Sequence, residues 1–362
     1  MGIPVAEIVA GLNERNCIFF LGPGLSLDKE GGPLQSRLIN YFKEKQLDIE
    51  EDLDNLYSCR KQARTRAHVY IKEYYRDNGQ LNDMLKQLAR IPCHLYISIN
   101  PDLFMKQALE DYGVEHEFEY YVKDQPSEDV AKPTAENPLL YNLFGSIDDQ
   151  QSLVFSYEDL IQYLFSIIRD FKLPQNLRSN LEQSHYFIFL GFDFEKWYLK
   201  LLLKLFLLDE NKLPIAAESG TGTQGKLRTF YMGHYGLEFV EHNVGDYIQF
   251  LYDECDKQGL LRVIKEKTQS SIQAEIKDLI NNGELEEALD RLYKALEPMS
   301  EEFFVGKDEN KQDILNELDI QISRLSRSEK DLRKGLVLEE AARIEKNKIT
   351  EALLSIVQKL FG

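Results

Sequence analysis

Cys17-Ile18-Phe19-Phe20-Leu21-Gly22-Pro23-Gly24-Leu25-Ser26 decides how the first two thirds of this chain are read. An unbroken apolar run bounded by turn residues suits a strand covered on both faces, as in a parallel sheet. Glycines on either side of a proline then turn the backbone sharply. Between a strand and a helix, Gly22 and Gly24 would let amides approach a pyrophosphate, and Ser26 could donate to a phosphate or ribose. Pro23 removes one of those amides. The same pattern of apolar run into polar turn recurs downstream. Leu95–Ile99 leads into Asn100-Pro101-Asp102, Leu139–Phe144 into Gly145-Ser146, and Phe187–Leu190 into Gly191-Phe192-Asp193-Phe194. Thr229–Met232 and Leu237–Val240 complete the candidate strands. Alternation of such runs with helical patterns predicts an α/β domain with a parallel sheet and crossover helices.

Between the first two strands, Pro33 to Ala89 reads as a helical insertion, with Tyr70, Tyr74, Tyr75, Leu81, Met84 and Leu88 spaced for one buried face. Asp124–Pro138 and Glu218–Lys226, the latter with Gly220, Gly222 and Gly225, read as loose loops, either of which could act as a lid. At 362 residues two domains are expected. A net charge of −18 repels nucleic acid and anionic membrane, so neither is expected as a partner. The apolar cluster Leu199–Leu208 is interrupted by Lys200 and Lys204 and is too short to span a bilayer. The start Met1-Gly2-Ile3-Pro4 leads into an amphipathic pattern rather than a secretion signal, which predicts a cytoplasmic protein. Cys17, Cys59, Cys93 and Cys255 stand singly, without the paired spacing of a zinc site, and read as reduced thiols.

After about residue 256 the pattern becomes helical alone. Ile276, Leu279 and Ile280 form one stripe, stopped by Asn282-Gly283. Leu285, Ala288, Leu289, Leu292, Ala295 and Leu296 form the next; Ile314, Leu318, Ile322 and Leu325 a third; Ile344, Ile349, Leu353, Ile356 and Leu360 a fourth. Such stripes suit a small all-α bundle. The expected division is 1–255, a linker over 256–270, and a helical domain over 271–362.

The strand ends together resemble the sirtuin-like (silent information regulator two) superfamily, whose pattern is Gly-Ala-Gly-x-Ser, then Thr-x-Asn-x-Asp, then Leu-His-Gly. Gly22, Gly24 and Ser26 match the first element, Asn100 and Asp102 the second, Leu143 and Gly145 the third. Phe144 stands where the superfamily keeps its histidine. The resemblance implies a Rossmann-like sheet whose helical insertion covers the nucleotide, and NAD as substrate or ligand. It implies that Asn100 orients the nicotinamide ribose and the attacking water, while Asp102 supports the carboxamide pocket. It also implies that Gly191 and Asp193 lie beside the adenosine and that the turn at Asn243 reaches the adenine. The residues themselves leave a plainer alternative, in which Asp102, Asp193 and Asn243 cap helices or turns. Imidazole suits base catalysis near neutral pH, and phenylalanine takes no proton. His68, His94, His116, His185, His234 and His242 read as ordinary core or surface residues rather than a relocated base. Two functions stay open: hydrolysis of NAD to ADP-ribose and nicotinamide, or a pseudoenzyme that binds a nucleotide or a protein. The missing cysteine pairs depart from the zinc ribbon of protein-deacylating sirtuins, so no zinc is expected.

The tail resembles the effector-associated domains of prokaryotic conflict systems. Leu285-Glu286-Glu287-Ala288-Leu289 after the Asn-Gly turn, and Ile344-Glu345-Lys346-Asn347-Lys348-Ile349, carry that likeness. It implies a partner with a similar helical adaptor domain, homo-oligomers, and a role in anti-phage defence. A plain helical dimerisation tail is the alternative.

Overall fold

The structure is a computed structural model of the 362-residue chain. It describes residues 5–51, 56–122, 129–170, 173–207, 211–219, 222–264, 269–296, 299, 301–304, 310–333 and 337–361. The chain divides into two compact units, Met1–Lys265 and Glu266–Gly362.

The first unit runs α1 (Val5–Asn13), β1 (Cys17–Leu21), β2 (Leu27–Asp28), α2 (Leu38–Glu44), β3 (Ile49–Glu51), β4 (Tyr57–Cys59), α3 (Lys61–Asn78), β5 (Gly79–Gln80), α4 (Asp83–Arg90), β6 (Leu95–Ser98), α5 (Phe104–Asp111), β7 (Glu117–Tyr120) and β8 (Leu139–Asn142). It continues through α6 (Tyr157–Asp170), α7 (Gln175–Gln183), β9 (Tyr186–Leu190), α8 (Trp197–Phe206), β10 (Leu213–Ala217), α9 (Gly225–Tyr235), β11 (Glu238–Phe239) and α10 (Val244–Lys257). Seven strands form one sheet in the order β11-β10-β9-β1-β6-β8-β7, with every neighbouring pair parallel. Side chains alternate across a strand, so β1 serves two cores. Ile18 and Phe20 join the cluster built from α6, α7, α8 and α9, while Cys17, Phe19 and Leu21 join that of α1, α4, α5 and α10. Each such large side chain contributes about 1.5–3 kcal/mol on full burial. The α/β Rossmann-like architecture is therefore the one expected.

The chain leaves β1 for β6 on one side and later returns to β9 on the other. That reversal opens a crevice beyond the carboxyl ends of β1, β6 and β9, where open α/β sheets hold ligands. The insertion covers this edge. Its core of Leu34, Phe42, Tyr57, Ile71 and Tyr74 also takes in Ile147, Leu153 and Phe155 from the segment after β8. The Tyr57 amide donates to Phe155 O at 3.1 Å, which fastens the insertion to that segment.

Several expectations need correction. Thr229–Met232 lies inside α9, where Leu227, Phe230 and Tyr231 pack at helical spacing on the sheet's core. The strand that follows β9 in the sheet is instead β10, Leu-Pro-Ile-Ala-Ala, whose proline and small residues hide a strand signal. Pro214 is tolerated because pairing with β11 begins only at Ile215. The edge strand β7, half exposed Glu-Phe-Glu-Tyr, was not expected at all. Pro33–Ala89 is not purely helical: β3 and β4 pair antiparallel, and α4 belongs to the layer against the sheet. The proposed single face of that segment splits, Tyr74 and Tyr75 going to the insertion core and Leu81, Met84 and Leu88 to the sheet. Of Glu218–Lys226, residues 220 and 221 lie outside the described ones; buried Glu218 accepts from the Thr223 amide at 2.9 Å and from its hydroxyl, so the chain on either side of those two is tied together. Of Asp124–Pro138, residues 124–128 lie outside the described ones, Val130 joins the core, and Ala135 O accepts from Arg262 at 2.8 Å. Arg262 also donates to Ala89 O and Cys93 O, so the first unit extends past residue 256.

The second unit contains α11 (Gln269–Asn281), α12 (Leu285–Leu296), α13 (Lys311–Arg333) and α14 (Glu339–Phe361). Gly283 at φ +82° ends α11, with the Glu284 amide returning to Leu279 O at 2.9 Å. Ile276, Leu289, Leu318, Leu353 and Ile356 meet in one apolar core. Ile344, expected on the buried stripe, is 49 % exposed.

Candidate active site

Beyond Leu21 the chain is pinned to β9. The Gly22 amide donates to Leu190 O and the Gly24 amide to Gly191 O, both at 2.8 Å. The following turn commits the Leu25 amide to Gly22 O and the Ser26 amide to Pro23 O, each at 3.1 Å. All four amides of this segment therefore have carbonyl partners, and phosphate contacts here would have to exchange them. The glycines are required by the crossing of two backbones. A Cβ on Gly22 would stand 2.7 Å from Gly191 O, and Gly191 itself has φ +71°.

β6 ends in a polar knot. Ser98 Oγ accepts from the Asn100 amide at 3.0 Å, and Asn100 Nδ2 donates to Gly22 O at 2.9 Å. Those bonds aim the Asn100 side chain across the crevice. Asp102 is buried and reaches back to the first turn, its Oδ2 accepting from Ser26 Oγ at 2.5 Å. Its Oδ1 accepts from the Phe104 amide at 3.1 Å, which caps α5. Asn142, at the end of β8, donates from Nδ2 to Asp102 O at 3.3 Å. Burial pushes the Asp102 carboxyl up to about 6, although both hydrogen bonds pull the other way.

Asn100, Asp102, Ser26, Pro23 and Phe144 line one cavity of about 40 Å³, together with Tyr57 and Tyr75 of the insertion. Phe144 sits just past β8, edge-on to Tyr163 at 5.2 Å and to Tyr198 at 5.9 Å between ring centroids. Gly145, at φ +79°, makes the next turn, where a Cβ would strike the Ser152 backbone. None of the six histidines lines this cavity. His94 is buried at the opposite end of β6, and burial holds it down to about 4.

Asp193 and Asn243 are not brought to this cavity. Asp193 caps its own turn through the Glu195 amide at 3.1 Å, and exposed Asn243 caps α10 through the Asp246 amide at 3.0 Å. Sequence reasoning missed Tyr57 and Tyr198 as lining residues and the buried Glu218 clamp at the end of β10. A tyrosine in an amphipathic segment carries no sign of which cavity it faces. Among the described residues no group of three or more His, Cys, Asp or Glu could hold a metal ion. No helix among them is long and apolar enough to cross a membrane.

A family model for the SIR2-like domain matches residues 94–217, which include Asn100, Asp102, Phe144 and Gly191, and the model for effector-associated domain 11 matches residues 271–361. The chain carries a SIR2-like domain and an effector-associated domain. Gly22, Gly24 and Ser26 precede the span that the SIR2-like model matches. The chain is also similar to the NAD(+) hydrolase ThsA of Cytobacillus dafuensis, 26% identical over 200 residues covering 53% of this chain and 38% of that protein. The NAD(+) hydrolase ThsA of Bacillus cereus (strain MSX-D12) is 27% identical over 197 residues, covering 52% of this chain and 40% of its own length. The chain thus spans about two fifths of the curated relatives it matches.

Proposed function

We propose that the SIR2-like unit binds NAD at the carboxyl edge of its sheet and hydrolyses it to ADP-ribose and nicotinamide, as an effector of anti-phage defence. The reading is carried by the convergence of Asn100, Asp102 and Ser26, from two separate strand ends, on one otherwise largely apolar cavity. Similarity to two NAD(+) hydrolases supports it. When the bond between ribose and nicotinamide breaks, positive charge grows on the ribose. A fixed amide oxygen and a carboxylate are the groups that stabilise such charge. At about 40 Å³ the cavity holds about three waters, too little for a whole dinucleotide, so the nicotinamide end is the part that this cavity would take and the rest of NAD would lie outside it. The effector-associated unit serves assembly, with other copies or with a partner bearing a similar domain.

NAD consumption by the full-length chain, with Asn100→Ala alongside, tests the reading. The variant should lose at least about a hundredfold in rate with its fold intact, as removal of one positioned catalytic polar group does. An equal rate in the two proteins would end it.

One observation favours a second reading, a binding protein without turnover: Phe144 packs as an apolar wedge against Tyr163 and Tyr198 at the histidine position. In that case the wild type binds NAD without consuming it, and Phe144→His creates turnover.

A further inference from the structure

We propose that Ser26 and Asp102 together form the proton acceptor of this site, in place of an imidazole; the inference rests on the reading of the unit as an NAD hydrolase. The two residues lie 76 positions apart, on the turn after β1 and the turn after β6, yet their side chains meet at 2.5 Å and both line the cavity. The Phe104 amide holds Oδ1 from behind, which leaves Oδ2 to the serine hydroxyl. The other titratable side chains lining the cavity are the phenols Tyr57, Tyr75 and Tyr198. Tyr75, on α3, feels the charge of Asp102, and burial raises it and Tyr57 far out of the range of a neutral-pH base. The influences on Asp102 are its burial, Ser26 and the Phe104 amide, with no cation among them. Burial places its carboxyl at about 6, close to where a base working near neutrality is most effective.

The step balances without a further reactant. As the ribose C1′–nitrogen bond breaks, its electron pair goes to the nicotinamide ring nitrogen, which loses its positive charge. The oxygen of a water bonds to C1′. One water proton passes to Ser26 Oγ while the Ser26 proton passes to Asp102 Oδ2, and the second water hydrogen remains on the product hydroxyl. Asp102 then releases its proton to solvent. A purely structural pair would need only an acceptor for the Phe104 amide and a hydrogen-bond partner for Ser26 Oγ; in Asp102→Asn the amide oxygen keeps the first, and Nδ2 donates to Ser26 Oγ in place of the second.

The test is kcat and KM for NAD between pH 5 and 8 for the full-length wild type, Asp102→Asn, Ser26→Ala and Asn100→Ala, with NAD binding measured by calorimetry. The wild-type kcat should rise with pH through a single ionisation near 6. Asp102→Asn should bind NAD with little change, lose about 10²–10⁴ in kcat and lose the pH limb. Ser26→Ala leaves the cap on α5 untouched and should lower kcat with KM nearly unchanged. A flat wild-type profile, or wild-type kcat in Asp102→Asn while Asn100→Ala is dead, overturns the relay and leaves the hydrolase standing. A wild type that consumes no NAD at any pH overturns both.

Discussion

Around the cavity of the SIR2-like unit, Ser26, Ser98, Asn100, Asp102, Asn142 and Ser146 are withdrawn from water, whereas Gln321 is the one buried polar side chain in the effector-associated unit among the described residues. Burying such a group costs about 1–3 kcal/mol unless it is hydrogen-bonded. In the first unit Ser26, Asn100, Asp102 and Asn142 join strand ends far apart in sequence, with Ser98 Oγ holding the Asn100 amide, while Ser146 Oγ accepts locally from the Asp148 amide. In the second, Gln321 is simply bonded to Glu317 and Arg324 on its own helix, and apolar side chains, mostly leucine and isoleucine, make up the core. A core of that kind specifies a shape and leaves the outer surface to do the work. A buried polar cluster at the end of a sheet instead points to chemistry.

The comparison breaks most visibly in the apolar core. Leu289→Ala removes a fully buried side chain and should cost about 2–5 kcal/mol, lowering the unfolding midpoint of the helical unit in calorimetry while NAD binding is unchanged. The polar cluster should respond in the opposite sense. The folded state raises the Asp102 carboxyl above its unfolded value, so its contribution to stability is full below about pH 4 and is lost as pH rises through about 6. Asp102→Asn should therefore stabilise the protein by about 3 kcal/mol at pH 7 and not at pH 4, read from urea unfolding. Gly191→Ala, at φ +71° against the Leu25 backbone, should cost about 1–3 kcal/mol and loosen the turn at Gly22. The smallest effect sharpens the contrast within the sheet. His94 is held neutral by burial, so its contribution is full above its unfolded value near 6.5 and is lost as pH falls towards 4. In wild type this slope opposes that of Asp102 over the same window. In Asp102→Asn that opposition is removed, and stability should rise more steeply from pH 4 to 6.5.

Much of the fold was legible because parallel strands covered on both faces are uninterrupted apolar runs. Cys17–Leu21 and Tyr186–Leu190 show this pattern, and Gly22 and Gly191 mark where both runs stop. The misreadings have a shared cause. Thr229–Met232 has strand-forming residues yet is helical, because Phe230 and Tyr231 find their partners only at helical spacing against the sheet. β10 carries Pro214 and two alanines, which its sheet neighbours tolerate and local propensity does not. In the candidate site, Asn100 and Asp102 stood out through their place after a strand. Tyr57 and Tyr198 had no such marker.

By itself the sequence determined the elements that rest on local order: the apolar strands of the sheet, the turns at Gly22, Asn100 and Gly145, the helical stripes of the tail and the phenylalanine at position 144. Only the tertiary structure decided which of those elements meet. The placing of β1 between β6 and β9 brings Ser26 to Asp102 and Asn100 to the Gly22 carbonyl, while Asp193 and Asn243 are left capping exposed turns. Strand order is set by the packing of both faces at once. No run of neighbouring residues encodes it, because hydrophobic burial rewards area and not partners.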